Sequence, residues 1–254
     1  MSVLSKNDLE FWEENGYVVV QNAVPLENCG AAEQAVWEFL KMAPDDPETW
    51  YSDPPRSSIM VEIYQHQAFW NNRQFPKVHE AFTQLWGTER LWVSFDRASM
   101  NPPVRGDFQF QGPYLHWDVD LTKPLPKLMQ GVLYLTDTLA HQGAFTCIPG
   151  FHHRLAEWLQ SLPKNAEPRE AIRRECSQDA VSVAGRAGDL IVWHSGLPHG
   201  SSPNTSHNPR IVQYITMSPS REDDDQLRRE RIEGWRERRV GLGQNQPDGD
   251  QQPS

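Results

Sequence analysis

In the N-terminal part of the chain, apolar residues recur at the spacing of helices that bury one face. Leu9 and Trp12 share a face of the first such segment, which Ser5 caps and Gly16 ends. The apolar run 17–20 follows as a predicted buried strand. The same spacing, with proline at the start of two segments, predicts helices over 5–15, 25–42 and 76–86.

From about Leu91 the pattern changes to short runs of β-branched and aromatic residues, separated by Pro, Gly or Asp. Runs this dense are typical of an antiparallel barrel or a double-sheet jelly roll. One helical insert, over about 156–174, interrupts them. We therefore expect a mainly β fold, with an N-terminal helical layer packed on a jelly-roll core over about 91–217. The predicted strands cover 91–95, 114–117, 129–136, 144–148, 180–183, 190–193 and 211–217.

The C-terminal part departs from this pattern. Residues 221–239 form a predicted charged helix with seven arginines and seven acids, so its net charge is zero. Such a helix is usually a solvated surface with i, i+4 ion pairs, and a contact with another subunit is the alternative. The Gln-, Pro- and Gly-rich residues 240–254 predict a disordered tail. No linker is visible, so we expect residues 1–239 to form one domain.

Composition limits the class of function. The chain has 254 residues and a formal net charge of -10, which disfavours binding to nucleic acid. Its three cysteines are far apart, as in a protein of a reducing compartment. The first fifteen residues are polar, so we expect no signal peptide, and no apolar run approaches the ~20 residues of a membrane span. These features predict a soluble, cytoplasmic protein, a monomer or homodimer, that acts on a small molecule.

The segment around His116 and Asp118 is the first candidate for chemistry. On an extended strand, residues i and i+2 point to the same face, so this pair presents an imidazole beside a carboxylate. Two histidines and one carboxylate can bind one face of an Fe(II) ion and leave three coordination positions of the metal open. Alone the pair is weak evidence, because a histidine and an aspartate at a strand end often make ordinary hydrogen bonds.

The third ligand must come from a distant strand. His199 is the best candidate, because it follows the predicted strand 190–193 and Gly200 allows close approach. His194 and His207 are rivals for this role. Arg210 comes eleven residues after His199, and its guanidinium can hold a carboxylate with two hydrogen bonds. A metal and an arginine in one pocket suggest a dicarboxylate co-substrate.

The chain resembles the phytanoyl-CoA dioxygenase family of Fe(II)- and 2-oxoglutarate-dependent oxygenases. The matching segments are FWEENGYVVVQNAVP near the start, HWD at 116–118, YLTDTLAHQGAFTCIPGFHH at 134–153 and GDLIVWHSGLPHGSSPNTSHNPR at 188–210. They follow the family's order over nearly the whole chain. The resemblance also implies the fold, a double-stranded β-helix of the jelly-roll type.

The same resemblance implies the roles of single residues. It makes His116, Asp118 and His199 the Fe(II) ligands, Arg210 the partner of the far carboxylate of 2-oxoglutarate, and Ser201 an assistant to Arg210. The implied reaction uses O2, converts 2-oxoglutarate into succinate and CO2, and hydroxylates an unactivated C–H bond. Because a carboxylate is present at position 118, halogenation is disfavoured.

The sequence identifies the substrate less well. Gln130 begins the strand after the HWD segment and is a candidate contact of 2-oxoglutarate, whereas Arg97, Phe110 and Trp117 are candidate contacts of the substrate. Arg97 either meets an anionic substrate or pairs with an acid. The Pro- and Gly-rich segment 101–112 is a candidate lid. A small organic acid or metabolite is the expected substrate; desaturation, ring formation and a non-catalytic binding protein are the alternatives.

Overall fold

The computed structural model describes residues 2–51, 56, 58–106, 108, 112 and 114–238. Phe110, Arg239 and the predicted tail over 240–254 lie outside the described residues. The strands are β1 Tyr17–Val20, β2 Met60–Val61, β3 Leu91–Val93, β4 Ala98–Asn101, β5 Met129–Tyr134, β6 Phe145–Cys147, β7 Val181–Val183, β8 Leu190–His194, β9 His199–Ser201, β10 Arg210–Tyr214 and β11 Met217–Pro219. The helices are α1 Lys6–Asn15, α2 Leu26–Leu40, α3 Gln67–Arg73, α4 Pro76–Trp86, α5 Phe151–Ser161, α6 Pro168–Cys176 and α7 Asp225–Arg236, with short 3-10 turns at Pro47–Trp50 and Ser177–Asp179.

The largest sheet has the strand order β1-β8-β5-β10-β4-β2, and every pair in it is antiparallel. A second sheet has the order β7-β6-β9. Strands β3 and β11 form a third, two-stranded sheet. Two facing antiparallel sheets with helices around them are a jelly roll, as the sequence pattern predicts.

Both faces of the large sheet are buried, which explains why β8 is apolar without interruption from Leu190 to Trp193. In β8, Leu190 and Val192 face a core shared with helices α1–α4, whereas Ile191 and Trp193 face a second core beneath the smaller sheet. Alternate residues of a strand point to opposite faces, so only a continuous apolar run can fill both cores. The site described below lies on the side of the smaller sheet.

Helix α1 and its junction with β1 follow the sequence signals closely. The Ser5 hydroxyl accepts a hydrogen bond from the Asp8 amide at 3.2 Å, and the Asp8 carboxylate accepts one from the Ser5 amide at 2.8 Å, which completes a capping box. Gly16 ends the helix with φ of 74°, and its amide donates to the Trp12 carbonyl at 2.7 Å. The next residues then enter β1 at the edge of the large sheet.

Some predicted boundaries are wrong. The insert predicted over 156–174 is two helices, α5 and α6. Pro163 cannot continue α5, and Pro168 is the first residue of α6. The strand predicted over 211–217 divides after Tyr214 into β10 and β11, which belong to different sheets. Residues 114–117 form no regular strand, although His116 makes an isolated bridge.

Four further helices and strands are absent from the sequence prediction: β2, β4, β9 and α3. Strand β4 has the sequence Ala-Ser-Met-Asn, which lacks β-branched and aromatic residues, yet all four residues are buried. Helix α7 is shorter than the predicted helix over 221–239. Among the described residues, no helix is long and apolar enough to cross a membrane.

Candidate metal centre and active site

His116 and His199 are neighbours because their backbones pair. The amide of His116 donates to the carbonyl of His199 at 2.9 Å, and the amide of His199 donates to the carbonyl of His116 at 3.0 Å. This reciprocal pair places the two imidazole rings 4.6 Å apart. Strand β9, which His199 begins, is held on its other side by β6. The fold therefore brings together two histidines that are far apart in the sequence.

Asp118 completes a cluster of three potential metal ligands. One ligand atom from each of His116, Asp118 and His199 can be chosen so that all three lie within 4.8 Å of one another. The Asp118 carboxylate lies 3.5 Å from Nε2 of His116 and 3.2 Å from Nε2 of His199. His199 is nearly buried, whereas His116 and Asp118 are partly open to the cavity. Among the described residues no other group of this kind occurs.

The opposite ring nitrogens fix the tautomer of both histidines. Nδ1 of His116 lies 2.8 Å from the carbonyl oxygen of Tyr114, and Nδ1 of His199 lies 3.1 Å from that of Leu197. Because a carbonyl oxygen only accepts hydrogen bonds, each Nδ1 carries a proton. In the neutral ring, Nε2 then presents a lone pair to Asp118, which is how histidines that bind metals are held. Two lone pairs and a carboxylate directed at one point fit a divalent cation.

Electrostatics favour an ionised Asp118. Burial raises the pKa of this carboxyl, but the hydrogen bonds that His116 and His199 donate when their rings are protonated, together with one from Gln130, outweigh burial and hold the pKa far below its usual range. Burial also lowers the pKa of His116, while its hydrogen bonds to Asp118 and to the Tyr114 carbonyl raise it, and the net shift is upward. The carboxylate therefore attracts positive charge to this position, either as protons on the imidazoles or as a cation.

Three neighbours hold the cluster in place: Gln130, Trp193 and Phe145. The side-chain amide of Gln130, on β5, donates to the Asp118 carboxylate at 2.7 Å. The ring of His199 lies 4.9 Å from that of Trp193 and 6.3 Å from that of Phe145. Gln130 also lines the cavity. Its contact with 2-oxoglutarate stays a prediction.

Arg210 lies at the start of β10, on the floor of the same cavity. Nη1 donates to the Ser99 hydroxyl and Nη2 to the Ser201 hydroxyl, both at 2.8 Å. The side chain is buried, its Nε has no hydrogen-bond partner, and no carboxylate among the described residues pairs with it. A buried cation without a counter-ion is costly, so this arrangement fits an anion that arrives as a ligand.

The cavity over these residues has a volume of about 410 Å³. Tyr134, Phe145 and Trp193 give it an aromatic wall, and the polar groups above are directed into it. A few polar groups on an apolar wall are typical of sites that bind small molecules.

The predicted substrate contacts have different outcomes. Arg97 lines the cavity, but its guanidinium pairs with the Glu62 carboxylate at 2.7 Å. The prediction for Trp117 is wrong: it is fully buried, donates to the Gly196 carbonyl at 3.0 Å and packs against Phe151 and Trp158. Its position between His116 and Asp118 turns it to the opposite face of the segment. Phe110 lies outside the described residues.

The two rival histidines lie elsewhere. Nδ1 of His194 accepts a hydrogen bond from the Gly196 amide at 2.9 Å, and the ring lies 5.2 Å from that of His152, outside the cavity lining. His207 lies on an exposed turn. Neither belongs to the cluster of potential ligands.

Sequence reasoning did not identify three residues of the cavity region. Ser99 belongs to the unpredicted strand β4, and nothing in its sequence marks it. Glu62, the partner of Arg97, lies in a segment without a motif. Arg173 belongs to the helical insert and lines the cavity. Nothing in the sequence of that helix indicates a position at the cavity.

Comparisons with known proteins place the chain in a family. The family model described as phytanoyl-CoA dioxygenase matches residues 12–212. The ectoine dioxygenase of Bordetella bronchiseptica is 23% identical, over 85% of this chain and 75% of its own.

Two solved structures are also similar. The epimerase SnoN, crystallised with Fe3+, alpha ketoglutarate and nogalamycin RO, has a TM-score of 0.62 at 17% identity and covers 84% of this chain and 83% of its own. The non-heme alpha ketoglutarate-dependent carbocyclase SnoK has a TM-score of 0.58 at 18% identity and covers 89% of this chain and 91% of its own. At this identity the likeness shows the fold, and it confirms the predicted jelly roll.

The family match extends over most of the chain, from residue 12 to residue 212. It confirms the prediction of an oxidoreductase, and the predicted Fe(II), 2-oxoglutarate and O2 are the cofactor and co-substrates that agree with the family and the ligand cluster. The chain belongs to the phytanoyl-CoA dioxygenase family and is a dioxygenase.

Proposed function

We propose that this protein is an Fe(II)- and 2-oxoglutarate-dependent oxygenase that hydroxylates an unactivated C–H bond of a small organic acid or metabolite. His116, Asp118 and His199 hold the metal in this proposal. The observation that carries it is the direction of the histidine nitrogens: both Nδ1 atoms donate to backbone carbonyls, so both Nε2 lone pairs meet at the Asp118 carboxylate. No arrangement of hydrogen bonds among neutral rings satisfies these three groups, whereas one cation does.

When bound, Fe(II) with 2-oxoglutarate and O2 supplies the oxidising power for C–H cleavage. The residues of this chain supply placement. Gln130 fixes the rotamer of Asp118 through its amide, and the two carbonyl acceptors fix both imidazoles. Residues held in this way lose little entropy when the metal binds, so the site is preorganised.

Arg210 binds the far carboxylate of 2-oxoglutarate in this proposal. Ser99 and Ser201 hold its Nη atoms from two different sheets, which aims the guanidinium across the cavity. A planar guanidinium can meet a carboxylate with two parallel hydrogen bonds. Ser201 also lines the cavity and can donate to the same carboxylate.

The size of the cavity supports a small substrate. Its 410 Å³ lie near the lower end of the range of roughly 300–1,000 Å³ typical of ligand pockets, and 2-oxoglutarate must share this space. A substrate of modest size therefore fits best. We also propose that residues 1–239 act as one domain; the monomeric or dimeric state and the cytoplasmic location stay predictions.

The outcome of oxidation has an alternative. Structures similar to this chain include a carbocyclase and an epimerase, so the same oxidant can end in ring formation or another transformation. The remaining alternative, a jelly roll that binds without turnover, is disfavoured because the ligand cluster and the buried Arg210 are both present.

The test is reconstitution of the purified protein with Fe(II) under anaerobic conditions, followed by O2 and 2-oxoglutarate. We expect bound iron close to one equivalent and release of succinate. Asp118→Asn keeps the size of the side chain and removes its charge, and it should lower metal affinity by at least about 100-fold, since loss of a mere orienting partner costs 10–100-fold. Asp120→Asn, which removes an exposed acid of the same segment, is the matched control.

Retention of iron and of succinate release by Asp118→Asn would refute the ligand assignment. Tight binding of 2-oxoglutarate by the wild type without any succinate would favour the binding-protein alternative instead.

A further inference from the structure

Helix α6 lies along the segment that carries His116 and Asp118 and fastens it with two arginines one turn apart. Nη2 of Arg169 donates to the carbonyl of Trp117 at 2.7 Å, and Nε of Arg173 donates to the carbonyl of Leu115 at 3.0 Å. These carbonyls are on either side of His116. The helix therefore helps to fix the backbone of the metal-binding segment.

The two arginines differ in what their charge meets. Arg169 lies 3.8 Å from the Glu167 carboxylate and is not part of the cavity lining. Arg173 lines the cavity, and within the described part of the chain its guanidinium pairs with no acid and donates no hydrogen bond from its Nη atoms. Its Cζ lies 5.6 Å from the ring centroid of Tyr114.

Arg173 is also unlike the other two arginines of the cavity. Arg97 is paired with Glu62, and both Nη atoms of Arg210 are held by serine hydroxyls. Only Arg173, among the described arginines that line the cavity, combines an anchored Nε with two Nη groups left for a ligand. A guanidinium fixed through Nε presents its Nη pair in one plane, which is the geometry that meets a carboxylate.

We propose that Arg173 binds a carboxylate of the substrate. This inference rests on the proposed function. In that proposal Arg210 binds the co-substrate, so Arg173 is left to bind the substrate. Since Arg173 is fastened to the residue that precedes His116, an anion bound by it lies beside the proposed metal. The substrate is then a small carboxylic acid, held by its charge at Arg173 while its carbon chain extends along the aromatic wall.

The experiment measures binding without turnover. The protein is loaded with Ni(II) and 2-oxoglutarate, and its melting temperature is followed against a panel of small carboxylic and amino acids, each tested beside its own carboxamide. We expect at least one acid to stabilise the wild type and its amide to have no effect. Arg173→Gln should weaken the binding of that acid at least tenfold, the size expected when one partner of a charge pair in a desolvated site is removed.

Arg169→Gln is the matched control, because it removes the neighbouring hydrogen bond to the same segment and leaves the cavity lining intact. A purely structural role for α6 predicts equal losses of acid binding in both variants, and that result would overturn the proposal. Amides that bind as well as acids, or a panel in which no acid binds the wild type, would overturn it too. Failure of the proposed function is seen separately, as a wild type that nickel and 2-oxoglutarate do not stabilise.

Discussion

His116 and His199 exchange backbone hydrogen bonds at 2.9 and 3.0 Å, so the relative position of their side chains is set by the pairing of two chain segments. An isolated bridge of this kind leaves the flanking residues free to depart from regular strand geometry. Asp118, two residues after His116, takes its place through the amide of Gln130 and the two imidazoles. The candidate site is thus defined by tertiary structure, while its residue types are visible in the sequence.

The buried guanidinium of Arg210 should not tolerate lysine. A lysine ammonium is a point charge and cannot reproduce the planar pair of hydrogen bonds. Removing one partner of such a pair costs about 2–5 kcal/mol, so the apparent affinity of Arg210→Lys for 2-oxoglutarate should fall at least tenfold in calorimetry. Arg90→Lys, which alters an exposed ion pair with Glu222, is the control. An unaltered affinity would mean that another cation, Arg97 or Arg173, holds the co-substrate.

Substitution of Arg97 tests whether this residue only forms an ion pair with Glu62 or also binds the substrate. Both side chains are about two-fifths exposed, and a pair of this exposure stabilises a fold by about 0.2–1 kcal/mol. We therefore expect Arg97→Ala to lower the unfolding free energy by only this small amount in urea titrations. Substrate-coupled and substrate-independent turnover should then change by the same factor. A selective loss of coupled turnover in Arg97→Ala would restore Arg97 as the substrate contact.

Sequence patterns predict the apolar framework of this fold but not the neighbours of its polar groups. The continuous apolar run of β8 indicates a strand that is buried on both faces, and the capping residues of α1 mark the ends of that helix. Ser99 gives no such signal, because its role depends on Arg210, which arrives from a paired strand. The orientation of Trp117 follows only when the direction of its two neighbours is known.

Gly16 should be less replaceable than Gly87, although both end a helix with positive φ. An alanine at either position destabilises the fold by about 1–2 kcal/mol, because its Cβ disfavours the left-handed backbone conformation. A Cβ at Gly16 would also lie 2.5 Å from Nδ1 of His152, whereas at Gly87 it meets nothing within 4 Å. Gly16→Ala should therefore destabilise the protein more than Gly87→Ala in urea unfolding. Equal losses would mean that His152 moves away freely.

The lowered pKa of His152 predicts that the protein loses stability in mild acid. Burial, together with the nearby His153 and His194, lowers its pKa to about 4 in the folded protein, below the ordinary value of 6.5. The unfolded chain then binds more protons between these values, so this histidine's contribution to stability decreases as the pH falls from about 6.5 towards 4. Replacing His152 with Asn should flatten the pH dependence of unfolding in this window. His207→Asn, on an exposed turn, is the control, and a change of the same size there would contradict the assignment.

Anomalous diffraction from crystals grown anaerobically with Fe(II) and 2-oxoglutarate tests the central claim most directly. The account predicts one iron peak within bonding distance of Nε2 of His116, the Asp118 carboxylate and Nε2 of His199, with a carboxylate of 2-oxoglutarate against Arg210. Iron bound by His194 or His207, or 2-oxoglutarate held away from Arg210, would contradict it.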